Sequence, residues 1–264
     1  MSKTHLLMVA LAASTGLAGM AHAERLIDVS QVQRGSYYAP RFAPDGRDLL
    51  VTGPKLSGLY LVDGNGGAVR RLADDAGAGV AARWNRDGTV GFRAVRAGAR
   101  RAMIVDRDGR VRSAPAEAAP IALAQNERIY VRDRAGELVP VGTGDRFFSP
   151  EPSPDGDRVV FQGLSTGLYI YTRSTGDLVQ LGAGTAPSWS PDGSRLLFEL
   201  TEDDGHEIVA SDLYLYDVRA RRTHRLTATS ATVERRPSFA PDGRRIAFDD
   251  DTGGIYVGRL EEVR

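Results

Sequence analysis

Short alternating hydrophobic runs recur in a fixed order along the chain. The first kind ends mostly in Phe, and its copies are Leu49–Val51, Val90–Phe92, Val159–Phe161, Leu196–Phe198 and Ile246–Phe248. The second kind has Tyr near its centre, at residues 59–61, 168–171, 213–216 and 255–257. A third short run closes the unit at residues 69–72, 178–181 and 223–226. Alternation with β-branched and aromatic residues predicts β-strands, so the chain is predicted to be all-β.

A repeated phrase built around Pro-Asp-Gly stands before the first run of each unit. Its clear copies lie at residues 40–46, 187–193 and 237–243, and weaker copies lie at residues 82–88 and 150–156. Pro presets the first corner of a type I turn, Asp tolerates the second, and Gly supplies the positive φ that completes a hairpin. The phrase therefore predicts a hairpin between the first two strands. Each unit is predicted to be a four-stranded antiparallel meander.

The interval between Asp87 and Asp155 is long enough for nearly two units. Within it, residues 120–131 resemble a unit whose Asp-Gly is replaced by Gln125-Asn126, and a turn at residues 134–136 follows. We interpret residues 119–143 as a degenerate blade. The chain then divides into six units of about 40 residues, the size of a propeller blade. The sequence predicts a six-bladed β-propeller of four-stranded antiparallel blades with one blade degenerate.

Closure of the ring is predicted to depend on the N-terminal strand. The last unit has three predicted strands, at residues 238–239, 245–248 and 254–258, and no fourth. The alternating segment Arg25–Ser30 stands ahead of the first unit. We expect it to supply the outer strand of the last blade, because blades otherwise meet only through side-chain packing.

Composition and the first residues predict where the protein works. The 264 residues include 34 Lys and Arg, 34 Asp and Glu, and no Cys, so there is no general attraction for nucleic acid or anionic lipid and no disulfide. Lys3, the apolar stretch Leu6–Met20 and the small-x-small Ala21–Ala23 predict a signal peptide over residues 1–23. We expect residues 24–264 to form one propeller domain in the periplasm or outside the cell, as a monomer without a membrane span.

The repeats resemble those of the TolB-type, WD40-like β-propeller family. The resemblance covers about residues 36–264 and rests on the pattern Pro-x-aromatic-Ser/Ala-Pro-Asp-Gly, an apolar run and an Ile-Tyr-Val type strand. It implies a propeller like that of periplasmic TolB without the α/β domain that precedes it, because only residues 24–36 stand before the first blade. Similar repeats occur in propellers attached to prolyl-oligopeptidase-type hydrolases.

Motifs with catalytic or metal-binding chemistry have a simpler structural interpretation in each case. Gly163–Gly167 matches the Gly-x-Ser-x-Gly nucleophile pattern, but a strand follows it, which favours a hairpin. His206 lies in an acidic loop that is either a cation site or a solvated turn, and His224 falls in an outer strand. Asp106–Gly109 is typical of a turn between strands three and four. We therefore predict no catalytic residue, no metal ligand and no cofactor, while a structural Ca²⁺ in the channel stays an open alternative.

Residues just before the innermost strands are predicted to converge at the mouth of the central channel. They are Tyr37, Tyr38, Arg146, Phe147, Phe148, Glu234, Arg235 and Arg236. Aromatic side chains beside Arg are typical of binding hot spots, although the same residues could instead pack the connections over the blades. One equivalent position on successive inner strands is predicted to line the channel, and it holds Arg41, Arg83, Glu151, Ser188 and Ser238.

The sequence therefore favours an exported, non-catalytic module that binds an envelope protein or a peptide. One alternative is a small propeller hydrolase or lyase that acts on a saccharide or lactone in the channel. That alternative predicts Asp, Glu and Arg clustered at the axis together with a bound metal. A third interpretation is an accessory subunit of a larger envelope complex.

Overall fold

Six antiparallel sheets arranged as a propeller make up the structure. It is a computed structural model that describes residues 23–263 except 76, 80–81, 97, 116–119 and 230–231. Apart from Ala23, the predicted signal peptide lies outside the described residues. The described residues contain one short 3₁₀ turn, Pro54–Leu56, and no helix with the length and hydropathy needed to cross a membrane.

The strands follow the repeats in chain order. The N-terminal strand is β1 (Ala23–Gln33). Blade 1 contains β2 (Tyr38–Phe42), β3 (Asp48–Thr52), β4 (Leu59–Asp63) and β5 (Val69–Ala73). Blade 2 contains β6 (Arg83–Trp84), β7 (Val90–Arg96), β8 (Ala99–Val105) and β9 (Val111–Ser113). Blade 3 contains β10 (Ala122–Gln125), β11 (Arg128–Arg132) and β12 (Leu138–Val141).

The second half of the ring is more regular. Blade 4 contains β13 (Phe147–Pro152), β14 (Arg158–Gly163), β15 (Gly167–Thr172) and β16 (Leu178–Gly182). Blade 5 contains β17 (Thr185–Trp189), β18 (Arg195–Asp203), β19 (Ile208–Asp217) and β20 (Arg222–Arg225). Blade 6 contains β21 (Arg235–Phe239), β22 (Arg245–Asp249) and β23 (Ile255–Val263), and β1 completes it. The predicted six-bladed fold is confirmed.

Ring closure by the N-terminal strand is also confirmed. β1 pairs antiparallel with β23, from Ala23 opposite Val263 to Gln33 opposite Ile255. Glu24 fixes the start of this strand, because its carboxylate contacts the Arg195 guanidinium at 2.6 Å and its N–H donates to His224 Nε2 at 3.3 Å. The outer strand of blade 6 therefore comes from the other end of the sequence.

The Pro-Asp-Gly hairpins also connect neighbouring blades. Arg195 and Arg245 follow this phrase in blades 5 and 6, and each guanidinium lies over an aromatic ring of the next blade, at 5.2 Å from its centroid. Each also donates to the carbonyl of the next phrase's glycine, Gly243 at 2.7 Å and Gly46 at 3.0 Å. One repeated Arg thus joins two blades where their first hairpins meet.

Apolar clusters lie between successive blades, but one junction differs. Buried side chains form five clusters, which join blades 1 and 2, 3 and 4, 4 and 5, 5 and 6, and 6 and 1. No such cluster joins blades 2 and 3 within the part of the chain that the structure describes. Blade 3 is therefore held chiefly by blade 4.

Blade 3 corrects one sequence assignment. Gln125-Asn126 was expected to replace the Asp-Gly of the first hairpin, but it belongs to the hairpin between the second and third strands. The Glu127 carbonyl accepts the Phe147 N–H at 2.8 Å, as the Gly253 carbonyl, in the second hairpin of blade 6, accepts the Tyr37 N–H at 3.1 Å. β10, β11 and β12 are therefore the second, third and fourth strands. The described residues of this blade include no innermost strand.

Candidate functional site

We call the end of the channel where the inner strands begin the mouth. The backbone of the inner strands is irregular near this end. The residue before the first Pro of the strand is left-handed in four blades: Ala39, Ser149, Ala186 and Arg236, with φ between 47° and 54°. The strand register shifts at each of them, which marks a bulge. Non-glycine residues adopt this conformation only where the surroundings hold it.

Two of these bulges are held by a carboxylate of the preceding blade. The Ala39 N–H donates to Asp249 Oδ2 at 2.6 Å, and the Arg236 N–H donates to Glu199 Oε2. Glu199 and Asp249 occupy the same position, directly after the Phe of the second strand. Each carboxylate thus receives a backbone donor from the neighbouring inner strand.

Glu199, Asp249, Arg235 and Arg236 together form a carboxylate cluster below the mouth. Arg235 Nε lies 2.9 Å from Glu199 Oε1, and Arg236 Nε lies 2.8 Å from Asp249 Oδ2. Glu199 and Asp249 are 1% and 0% exposed, and Asp249 Oδ1 has no hydrogen-bond partner among the described residues. Burial raises the pKa of Asp249 to about 7, against the opposing effect of the Arg236 charge.

The predicted mouth residues of blades 6 and 1 differ in accessibility. Tyr38 lies over the Arg236 guanidinium at 5.3 Å and remains half-exposed. Tyr37 packs edge-on against Tyr60, with centroids 5.4 Å apart, beside the cluster between blades 6 and 1. Glu234 is 2% exposed, burial raises its pKa, and it accepts a hydrogen bond from Thr229 Oγ1. Tyr38 and Arg236 are therefore members of this group that remain partly accessible at the mouth.

The predicted mouth residues of blade 4 also differ in their exposure to solvent. Phe147 is 2% exposed and meets Phe161 and Tyr169 edge-on, at 5.4 and 5.6 Å between centroids. Phe148 is half-buried, and the exposed Arg146 lies 3.3 Å from Glu127 Oε1. They open onto a cleft of about 310 Å³, whose lining residues are Ala124, Asn126, Glu127, Arg146, Phe147, Phe148 and Leu164.

The predicted channel-lining position forms an axial cluster of Arg41, Arg83 and Glu151. Glu151 Oε1 accepts a hydrogen bond from Arg83 and lies 3.9 Å from Arg41 Nη2. Burial lowers the pKa of Arg41 to about 10, and the neighbouring Arg83 charge contributes. Arg41, Arg83 and Glu151 come from blades 1, 2 and 4, so their side chains meet across the axis. The equivalent Ser188 and Ser238 are buried, and Ser238 donates to the Pro40 carbonyl at 2.7 Å.

Glu199 and Asp249 are site residues that the sequence reasoning missed. An acid directly after a buried hydrophobic run at one repeat position was the available signal. Leu164 is a further missed residue: it is 52% exposed at the rim of the cleft. Nothing in its local sequence distinguishes it from an ordinary turn residue.

The motifs that resembled catalytic or metal sites lie where the simpler interpretation places them. Gly163–Gly167 forms the hairpin between β14 and β15, and Asp145 Oδ2 accepts hydrogen bonds from its Thr166 side chain and backbone. His206 is exposed in the loop between β18 and β19, and His224 lies in β20. Across the described residues, no three His, Asp or Glu side chains are grouped so as to hold a metal ion.

Comparison with known proteins agrees with this architecture. The family model described as the TolB beta propeller domain matches residues 122–260, more than half of the chain. A dipeptidyl-peptidase 5 from Porphyromonas gingivalis is 33% identical over 84 residues, which cover 28% of this chain and 12% of that protein. The matched part is therefore a small fraction of that relative's length.

Solved structures resemble this one over nearly its whole length. A gluconolactonase from Xanthomonas campestris has a TM-score of 0.57 at 13% identity and covers 90% of this chain and 91% of its own. A chain of a mitotic checkpoint complex has a TM-score of 0.55 at 11% identity, with 98% of both chains covered. At these identities the likeness shows the fold alone.

Proposed function

Because this chain belongs to the TolB β-propeller domain family, we propose that it is a non-catalytic module that binds an envelope protein or a peptide. We place the binding surface at the mouth of the central channel. We further propose that residues 1–23 direct export and that the protein works in the periplasm or outside the cell, since Lys3, the apolar stretch 6–20 and Ala21–Ala23 form a signal-peptide pattern.

The observation that carries this proposal is the composition of the mouth. Tyr38 over Arg236, together with Phe148 and Arg146 around the cleft, presents partly exposed aromatic rings beside guanidinium groups. Such side chains contribute most of the binding energy in protein interfaces. Leu164 adds an exposed apolar contact at the rim. The mouth therefore combines aromatic and Arg side chains suited to binding a partner with a concave surface that could receive it.

Site-specific photocrosslinking in the native host tests the binding surface. A photoreactive residue replaces Tyr38 or Leu164 at the mouth, and a control replaces the exposed Asp108, which lies in a turn between third and fourth strands at the opposite end of the blades. We expect one discrete adduct from the mouth positions and none from Asp108. The adduct at Leu164 should disappear when Tyr38→Ala and Phe148→Ala are combined. Equal adducts from both ends of the blades would contradict a mouth site.

The axial cluster favours a second candidate, a hydrolase or lyase with its site in the channel, because that function predicts acidic side chains and Arg clustered at the axis, together with a bound metal. Metal analysis of the purified protein, with turnover assays on a sugar lactone and an oligosaccharide, separates the two candidates. The binding proposal expects no turnover. Turnover that Glu151→Gln abolishes would overturn the non-catalytic assignment.

A further inference from the structure

Among the described residues, blade 3 has a sheet edge that faces the axis without a paired strand. In each of the other five blades, an inner strand covers the corresponding edge. In those five blades an inner strand, β2, β6, β13, β17 or β21, pairs with this edge of the second strand. β10 pairs with β11 on one side, and no described residue pairs with its other side. An unpaired edge is a template for addition of another strand.

The hairpin geometry identifies which backbone groups point along this edge. Asn126 and Glu127 both have positive φ, 51° and 60°, so the turn is of the two-residue kind and Gln125 and Arg128 form its hydrogen-bonded closing pair. Hydrogen-bonded and non-hydrogen-bonded pairs alternate in an antiparallel ladder. The N–H and C=O groups of Ala122 and Ala124 therefore point away from β11 and toward the axis.

The cleft lies at the mouth end of this edge. Ala124 lines it together with Leu164 and with Phe148, which stands at the start of the inner strand of blade 4. A strand added beside β10 would place alternate side chains against Phe148 and Leu164. The opening is thus positioned where an inner strand of blade 3 would begin.

Charge along the axis identifies the side chains that such a strand should carry. Arg83 of blade 2 and Glu151 of blade 4 flank blade 3 and pair with each other across it. Arg41 reaches the same carboxylate, so two guanidinium groups share one carboxylate. Burial is the main cause that lowers the pKa of Arg41 to about 10, and repulsion by the Arg83 charge adds to it. Among these three side chains, two positive charges face one negative charge. A further carboxylate would be attracted.

We propose that an extended acidic segment of a partner protein adds to blade 3 as its innermost strand. Its backbone pairs with Ala122 and Ala124, its apolar side chains contact Phe148 and Leu164, and a carboxylate reaches Arg83 and Arg41. The proposal rests on the binding function assigned above and specifies both the chemistry of the partner and the place where it docks.

Two synthetic peptides and two variants of one residue test the proposal. The probes are capped seven-residue peptides of alternating Val and Thr with either Glu or Lys at the centre. Ala124→Pro removes the N–H that points to the axis without removing a bond to β11, since Pro is tolerated at an edge with its N side outward. Ala124→Val retains the N–H and is the matched control.

We expect the Glu peptide to bind at least tenfold more tightly than the Lys peptide. Ala124→Pro should weaken its binding at least tenfold, whereas Ala124→Val should retain it, and Arg83→Gln should reduce the preference for Glu. In amide hydrogen exchange, the Ala122 and Ala124 amides should exchange fast in the protein alone and slow down with the peptide. Circular dichroism and thermal unfolding check that each variant is folded.

Several results would overturn strand addition: no binding of the Glu peptide, equal binding to the Pro and Val variants, or slow exchange of both amides without peptide. Crosslinking separates this outcome from failure of the mouth proposal. If the Leu164 adduct persists in Ala124→Pro but disappears when Tyr38→Ala and Phe148→Ala are combined, the binding module stands and strand addition is wrong. If the adduct persists both in Ala124→Pro and in the combined Tyr38→Ala and Phe148→Ala variant, both proposals are wrong.

Discussion

Asp249 links the mouth of the channel to the packing of the ring. It is 0% exposed, yet its Oδ2 accepts hydrogen bonds from both the Ala39 N–H and the Arg236 side chain. Burial raises its pKa to about 7, and the nearby Glu199 charge adds to the shift while Arg236 opposes it. The folded protein therefore retains a proton on this group that the unfolded chain releases near pH 4.

Protonation of Asp249 should make stability fall as pH rises. Between about pH 4 and pH 7 the folded state binds more protons than the unfolded state, so the free energy of unfolding decreases across this window and levels off above it. Asp249→Asn removes this dependence and keeps an oxygen acceptor for Ala39 and Arg236. We expect its free energy of unfolding, relative to the wild type, to rise by up to about 4 kcal/mol between pH 4 and pH 8.

Urea unfolding at a series of pH values measures this difference. The control is Asp251→Asn, because Asp251 is a nearby exposed carboxylate. Its curve should run parallel to that of the wild type. A parallel curve for Asp249→Asn would show that the buried carboxylate does not titrate in this range.

Phe147 and Phe148 are neighbours with different roles. Phe147 is packed between blades 3 and 4, so Phe147→Ala should lower the free energy of unfolding by about 3–5 kcal/mol. Phe148→Ala should change stability by less than about 1 kcal/mol but weaken partner binding, because its ring lies at the cleft. Denaturant unfolding and binding measured on both variants distinguish packing from recognition, and reversed effects would contradict the assignment.

The N-terminal strand is the element that closes the ring. Leu26 packs against the cluster between blades 5 and 6, whereas Val29 in the same strand is 48% exposed. Leu26→Ser should therefore lower Tm by about 4–8 °C, since a buried apolar contact is lost. Val29→Ser is the matched control and should leave Tm nearly unchanged. Equal effects of the two substitutions would mean that β1 contributes only backbone pairing.

Elements with a local chemical signature were predictable from the sequence, and those that depend on neighbouring blades were not. Pro-Asp-Gly determines its own hairpin, so the repeat revealed the blades and the strand that closes them. A two-residue turn such as Asn126-Glu127 carries no information about which strands it joins, and this produced the wrong assignment in blade 3. The left-handed Ala39 and Ala186 have no local signal either, because neighbouring strands impose their conformation.

The candidate site shows the same division. The convergence of Tyr38 with Arg236, and of Arg41 with Glu151, followed from equivalent positions on repeated strands. The burial of Phe147 did not follow, because two adjacent aromatic residues read alike in sequence and only the packing of Phe161 against Tyr169 separates them. Glu199 was missed because its partner, the Arg236 N–H, becomes available only through a bulge.

At the scale of the whole molecule, cohesion around the ring is uneven. Five blade junctions contain buried apolar clusters, and the described residues provide none between blades 2 and 3. The Arg83–Glu151 pair joins blade 2 to blade 4 instead. The ring should therefore open most easily beside blade 3.

Amide hydrogen exchange checks this expectation. Local opening exposes the amides of the least packed unit first, so β7, β10 and β11 should exchange faster than β14 and β22 under native conditions. Glu151→Gln should accelerate exchange in β10 and leave β22 unchanged. Uniform protection around the ring would show that the junction is as cohesive as the others.

The pairing of β1 with β23 also makes the mechanical strength of the closed ring depend on the direction in which it is pulled. Ala23 and Val263 face each other at one end of the ribbon, and Gln33 and Ile255 face each other at the other end. Tension between residues 23 and 263 would load the rungs of this antiparallel ladder one after another and peel it apart. Tension between residues 33 and 263 would load all rungs at once in shear. The β1–β23 ladder should therefore separate at low force when residues 23 and 263 are pulled apart, and at higher force when residues 33 and 263 are pulled apart.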